Sequence, residues 1–240
     1  MNIQESVEFK RIESVSLKEL FERQIVELIL SKQLAIGEKL PPERILAAKT
    51  GVSRTVVNAG IANLVTKGFL EIRPRIGTYV ADYRRFGNME TLVAIMSYEG
   101  NMLNVDEYRS FLEMRELLAR ESFRALVEQG DAVDLSGLEA LRDRVVNAKD
   151  VEAITTASFL FYHEIAMLSN NTLIPLVYNS FRAPTLTLYR NIYAAEGPSR
   201  FKDNIVAFFD CIKTGDFEGI ARRLHENTEQ NIAFITAQAE

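Results

Sequence analysis

Between Lys39 and Arg75 the chain carries seven basic side chains against two acidic ones, and their spacing suits recognition of a nucleic acid. Arg54 stands between Ser53 and Thr55 at what reads as the opening of a helix. An arginine in that place can donate two parallel hydrogen bonds to guanine O6 and N7. Short hydroxyls beside a helix N-terminus suit phosphate oxygens, where backbone amides and the helix dipole already favour an anion. Asn58 lies one turn further on, and an asparagine amide pairs bidentately with adenine. Arg44 belongs to the preceding element, and Arg73-Pro74-Arg75 forms a basic turn suited to the minor groove.

These residues need elements that hold them. Leu17, Leu20, Phe21, Ile25 and Leu28 follow helical spacing, predicting a helix over about 16–34. A short helix follows over 42–49, with proline in the first turn where no amide partner is needed. Thr50-Gly51-Val52 turns the chain, and Ser53 is a good N-cap for the next helix. Val57, Ile61, Leu64 and Val65 form the buried stripe of that helix, leaving Arg54, Thr55, Asn58 and Ala62 on the opposite face. Lys67-Gly68 ends it. Phe69–Arg73 and Gly77–Ala81 read as two strands of a ribbon. The layout is a winged helix-turn-helix, a unit that lays one helix in the DNA major groove. Gly60, mid-helix, costs about 1 kcal/mol against alanine, and allows close helix packing or is simply a weak point.

Residues 82–88, DYRRFGN, are polar and read as a linker between an N-terminal domain over 1–81 and a second domain over 89–240. Beyond them the pattern is helical throughout: 89–98, 104–129, 135–149, 151–169, 172–194, 199–213 and 216–238. The fold class expected is mainly α, a winged helix-turn-helix followed by an all-α bundle. Pro184 is expected to kink its helix and open a cavity.

Composition is consistent with this plan. The net charge of −5 is unevenly spread: residues 1–83 hold 12 Lys+Arg and 10 Asp+Glu, whereas 84–240 hold 16 and 23. The acidic part should lie away from a duplex. No apolar run approaches the ~20 residues of a membrane span, and the start has no signal-peptide core. A single cysteine, Cys211, cannot form an internal disulfide, which favours a reducing cytoplasm.

The segment L-P-P-E-R-x-L-A…G-V-S-R-T-x-V…L…G…G-T-x-V, from Leu40 to Val80, resembles the DNA-binding domain of the GntR family of bacterial transcription regulators. The helical remainder resembles the FadR branch of that family, whose C-terminal bundle binds an effector. The resemblance implies a double-stranded DNA operator as partner, a homodimer on an inverted repeat, a small-molecule effector (an acyl-CoA or a small organic acid) and action as a repressor or activator. DNA-contacting residues carried over are Arg44, Ser53, Arg54, Thr55, Arg75, Gly77 and Thr78. Asn58 stands where the family usually has arginine, so it reads adenine in place of guanine, or touches only a phosphate or nothing. The wing also departs from the family pattern, with Arg75-Ile76 before Gly77-Thr78.

Many regulators with this bundle hold a metal through one Asp and three His. Those positions fall here on Phe159, His163, near Ile205 and near Asn227, and one imidazole does not hold a transition metal firmly. No metal or other cofactor is therefore expected; a metal-dependent carboxylate sensor is the alternative within the family. Arg115, in the family's E-x-R with Glu113, is an effector-site candidate or half of an ion pair. Tyr162 and His163 lie on a helix apolar nearly all round, where the histidine faces a cavity or is a satisfied core group. Tyr178, Arg182, Tyr189 and Tyr193 line a pocket for an anionic, partly apolar ligand, or coat an interface.

Catalysis is not expected. His163-Glu164 and His225-Glu226 fail the H-E-x-x-H zinc pattern at Met167 and Glu229. There is no phosphate-binding glycine loop and no nucleophile elbow. A protein-binding adaptor remains as a third class, distinguished by an absence of salt-dependent DNA binding.

Overall fold

A computed structural model describes residues 16–96 and 105–239. Its contacts divide the chain into two units, 1–98 and 99–240.

The first unit opens with α1 (Leu17–Leu30), started by a reciprocal capping box between Ser16 and Glu19. Then come α2 (Glu43–Thr50), α3 (Arg54–Thr66), β1 (Leu70–Arg73) and β2 (Gly77–Val80). Gly51 closes α2 in the left-handed region, which glycine adopts without steric cost. Ser53 caps α3, its Oγ accepting from the Val56 amide at 3.3 Å. The strands pair antiparallel, Leu70 with Val80 through Arg73 with Gly77. The chain before α2 lies along the outer edge of β2: the Leu40 amide donates to the Thr78 carbonyl and the Val80 amide to the Glu38 carbonyl, both at 2.9 Å. That covers an edge that would otherwise stay open. Phe21, Ile25, Leu46, Val57, Leu64 and Phe69 lie in one apolar core.

At Gly60 the backbone of α3 lies close against α1. A Cβ there would sit 2.5 Å from Phe21 Cδ1. Of the two readings of this glycine, close packing is the one the structure favours.

The boundary differs from the expected linker at 82–88. Asp82 accepts from the Arg85 amide and starts α4 (Tyr83–Phe86), and Tyr83 packs its ring 5.6 Å from Phe69. The following α5 (Met89–Met96) was expected to open the second domain, but it belongs to the first unit, with Ala94 and Ile95 against its core. Asn88 Nδ2 donates to the Thr66 carbonyl at 3.0 Å, and Thr91 Oγ1 donates to the Lys67 carbonyl at 2.6 Å. The α5 segment therefore satisfies carbonyls that the end of α3 would leave bare. Polar composition suggested a loop; here the polar groups serve as caps.

The second unit comprises α6 (Val105–Gln129), a 3-10 turn at Gly130–Ala132, α7 (Ser136–Asn147), α8 (Val151–Leu168), α9 (Ile174–Ser180), α10 (Arg182–Glu196), α11 (Ser199–Thr214) and α12 (Phe217–Ala239). α8 packs against α6, α7, α9, α10 and α11, as its nearly all-round apolar surface requires. The single helix expected over 172–194 is broken at Phe181, and Pro184 does not kink it. Pro184 instead lies in the first turn of α10, where a missing amide costs nothing.

Candidate nucleic-acid interface and a buried arginine site

In the first unit, α2, α3 and the ribbon enclose a groove of about 510 Å³ whose walls include Lys39, Asn58, Ala62, Arg73 and Arg75. Arg44, Arg54, Thr55, Asn58 and Arg75 are exposed. Arg44, Arg54 and Arg75 form no ion pair among the described residues. Arg73, by contrast, is occupied: its Nε donates to Glu71 at 2.8 Å and its guanidinium lies 4.1 Å from the centre of the Tyr79 ring. That leaves Arg75 as the cation at the ribbon tip. The Ile76 amide donates to the Arg73 carbonyl at 3.0 Å, and Arg75 has φ of 64°. Proline followed by positive φ fits a type II turn, at a position glycine usually takes.

Three carried-over residues play other parts here. Thr78 is 8% exposed and engages Leu40 through its carbonyl, so it holds the ribbon in place. Gly77, at φ 140°, leaves room for Lys39, whose Cε would lie 2.7 Å from a Cβ there. Ser53 is exposed, but its hydroxyl is committed as the helix cap.

In the second unit the sequence candidates converge on Arg115, which is 6% exposed. Its Nε donates to the Tyr178 hydroxyl at 3.1 Å, and its Nη2 donates to the Tyr189 hydroxyl. The guanidinium also faces the Tyr162 ring at 5.3 Å. Burial pushes the Tyr162 and Tyr178 phenols above their ordinary range, so both are neutral hydroxyls near pH 7. Burial alone would lower the Arg115 pKa, but the surrounding tyrosine oxygens outweigh it and the guanidinium stays charged. No carboxylate of the described residues lies within 4 Å of it, so neither Glu113 nor any other acid there pairs with it.

His163, Arg182 and Tyr193 are not brought into this cluster. His163 is half-buried and stacks on Phe159 at 6.1 Å. Arg182 is exposed and lies 5.5 Å from the centre of the Phe159 ring, and Tyr193 leans on Phe201.

Two cavities of about 20 Å³ each flank Tyr162. One is lined by Arg200, Asn204, Ser158 and Tyr189, the other by Arg115, Glu116 and Thr228, and Asn227 and Asn231 edge both. Sequence reasoning missed Arg200, Asn204 and Asn231. The available signal was Arg200 with Asn204 on α11 and Asn227 with Asn231 on α12, each pair one turn apart on one helix face.

The metal positions do not suit a metal. Phe159 and Ile205 offer no donor atom, Asn227 offers an amide, and one imidazole remains. Among the described residues no group of three His, Cys, Asp or Glu could hold one.

Residues 17–80 match the gntR family of bacterial regulatory proteins, and residues 110–230 match the FCD domain, half of the chain. The chain belongs to the GntR family, with an FCD domain as its second unit. This GntR regulator is 29% identical over 220 residues to the HTH-type transcriptional regulator Mce2R of Mycobacterium tuberculosis, covering 88% of each chain. It is 28% identical over 164 residues to the fatty acid metabolism regulator protein of Shewanella frigidimarina, covering 67% of this chain and 66% of that one. Among solved structures, Lar, described as controlling the Listeria monocytogenes agr system, superposes with a TM-score of 0.65 at 16% identity, covering 94% of this chain and 99% of that one. That likeness shows a shared fold. Both of these relatives of the GntR protein are named as regulators, the first as a transcriptional regulator. No helix among the described residues is long and apolar enough to cross a membrane.

Proposed function

We propose that this GntR regulator binds an inverted-repeat operator as a homodimer in the bacterial cytoplasm, and that an anionic effector in the helical unit changes its DNA affinity. Arg54 and Asn58 read base edges, Thr55 and Arg44 contact phosphates, and Arg75 reaches the minor groove. The observation carrying this reading is the exposure of Arg44, Arg54, Thr55, Asn58 and Arg75, two of which, Asn58 and Arg75, line the groove between α3 and the ribbon. A homodimer is invoked because one recognition helix reads too few bases for specificity, and a two-fold protein matches a two-fold site.

The effector acts only if it binds the DNA-competent and DNA-incompetent arrangements unequally, typically by about 1–3 kcal/mol. An acyl-CoA is one candidate, in line with the Shewanella relative's name. A small organic acid fits the two small cavities better. The test is selection of bound sequences from a random duplex pool by the full-length protein, followed by titration of the winning duplex at several salt concentrations. An inverted repeat with a steep salt dependence is expected. Recovery of no enriched sequence overturns the reading.

A further inference from the structure

We infer that Lys39 is a further DNA-contacting residue, which binds a backbone phosphate from the edge of the ribbon, and that Gly77 is the residue that positions it. This rests on the reading that the groove between α3 and the ribbon receives DNA.

The segment before α2 adds a short third strand to the ribbon. Lys39 bridges Tyr79 in antiparallel fashion, and the Leu40 amide donates to the Thr78 carbonyl at 2.9 Å. Side chains alternate between the two faces of such a ribbon. Leu40, Thr78 and Val80 are buried on one face. Lys39, Gly77 and Tyr79 therefore share the other, together with Arg73, whose strand partner is Gly77.

Gly77 leaves that face without a side chain opposite Arg73, and Lys39 lies across the gap. A Cβ at position 77 would meet Lys39 Cε at 2.7 Å and Nζ at 3.5 Å, so a larger residue would push the lysine aside. A glycine inside a strand commonly marks such a close approach. The backbone of Lys39 pairs at Tyr79, but its ammonium comes to Gly77, in the last pair before the turn that carries Arg75. The lysine is thus laid along the ribbon towards its tip.

The ammonium has no anion of its own. Lys39 is exposed and forms no ion pair among the described residues. Glu71 is held by Arg73, and Glu38 accepts from the Ala35 amide at 2.9 Å. Glu43, the acid on the groove wall, makes no ion pair with it either. The Tyr79 ring centre is 5.9 Å from Lys39 Nζ, at the outer limit of a cation–π contact, whereas Arg73 lies 4.1 Å from it. Lys39 lines the same groove as Asn58 and Arg75. An ammonium is a compact point charge, suited to a phosphate oxygen. Lys39 therefore adds affinity and salt dependence without reading sequence.

The experiment is an anisotropy titration of a labelled duplex, selected by the native protein, at several salt concentrations. It compares the full-length native chain with Lys39→Gln, Lys39→Arg, Gly77→Ala and the double variant Lys39→Gln/Gly77→Ala. Lys39→Gln should flatten the slope of log affinity against log salt by roughly one unit and weaken binding about five- to tenfold near 0.1 M salt. Its base preference in a repeat selection should stay native, and Lys39→Arg should keep the native slope. Gly77→Ala should flatten the slope as Lys39→Gln does, and adding Lys39→Gln to it should change the slope no further. Its melting temperature should fall because φ of 140° suits glycine, so the slope and not the stability is the readout. A native slope in Lys39→Gln, or a changed base preference, overturns the phosphate contact while the operator reading stands. Additive losses in the double variant overturn the part given to Gly77. If the native chain binds no duplex, both readings fall together.

Discussion

Arg115 Nε and the Tyr178 hydroxyl lie 3.1 Å apart, joining α6 to α9 across the interior of the helical unit. The pair makes opposite predictions for its two members. Tyr178→Phe leaves a buried guanidinium short of an acceptor and should cost about 1.5–3 kcal/mol. Arg115→Met removes a charge that has no buried counterpart, so its cost should be smaller or even reversed. Thermal unfolding of the two variants checks the order. A larger loss for Arg115→Met would show that the guanidinium already has the countercharge it needs.

At the ribbon tip, conformation and charge can be separated. Arg75 sits at φ 64°, which costs an ordinary residue about 1–2 kcal/mol relative to glycine. Arg75→Gly should therefore raise the melting temperature slightly while weakening DNA binding. The slope of log affinity against log salt should fall by roughly one unit. An unchanged salt slope would remove Arg75 from the DNA interface.

Asn58 is exposed on the groove wall of α3. Asn58→Arg should shift the preferred base beneath it from adenine to guanine, with discrimination of about 1–3 kcal/mol. Parallel sequence selections on the two proteins test this. Identical preferred sites would place Asn58 on a phosphate or clear of the DNA.

Gly60→Ala sets two effects against each other. Alanine gains about 1 kcal/mol of helix propensity, but its Cβ would arrive 2.5 Å from the buried Phe21 ring. Overpacking a filled core commonly costs about 1–3 kcal/mol, so net destabilisation is expected. A rise in melting temperature would mean that α1 gives way easily.

The first unit was largely legible because its signals are local. Ser53 as cap, Gly51 as left-handed terminator and the Val57–Leu64 stripe each act within a turn or two of chain. The helical unit was legible in outline, but its site was not. Tyr162, Tyr178 and Tyr189 meet Arg115 through packing of α6, α8, α9 and α10, which no spacing encodes. Arg200 and Asn231 are each marked in sequence only by a polar residue one turn away, Asn204 and Asn227, and that the two pairs meet shows only when α11 and α12 are set side by side. The linker reading at 82–88 has a similar cause: Asn88 looks like a loop residue until the bare carbonyl at Thr66 is seen beside it.

The bonds from Asn88 and Thr91 moor the reading helix by its tail. The pivot is at Thr66 and Lys67, while Arg54 lies at the far end. For a rise of about 1.5 Å per residue the arm is ~18 Å, so a tilt of ~10° at the mooring would carry Arg54 through ~3 Å. That is a whole hydrogen-bond length. If Arg54 reads a base as proposed, a tilt of that size at the mooring is enough to break the contact.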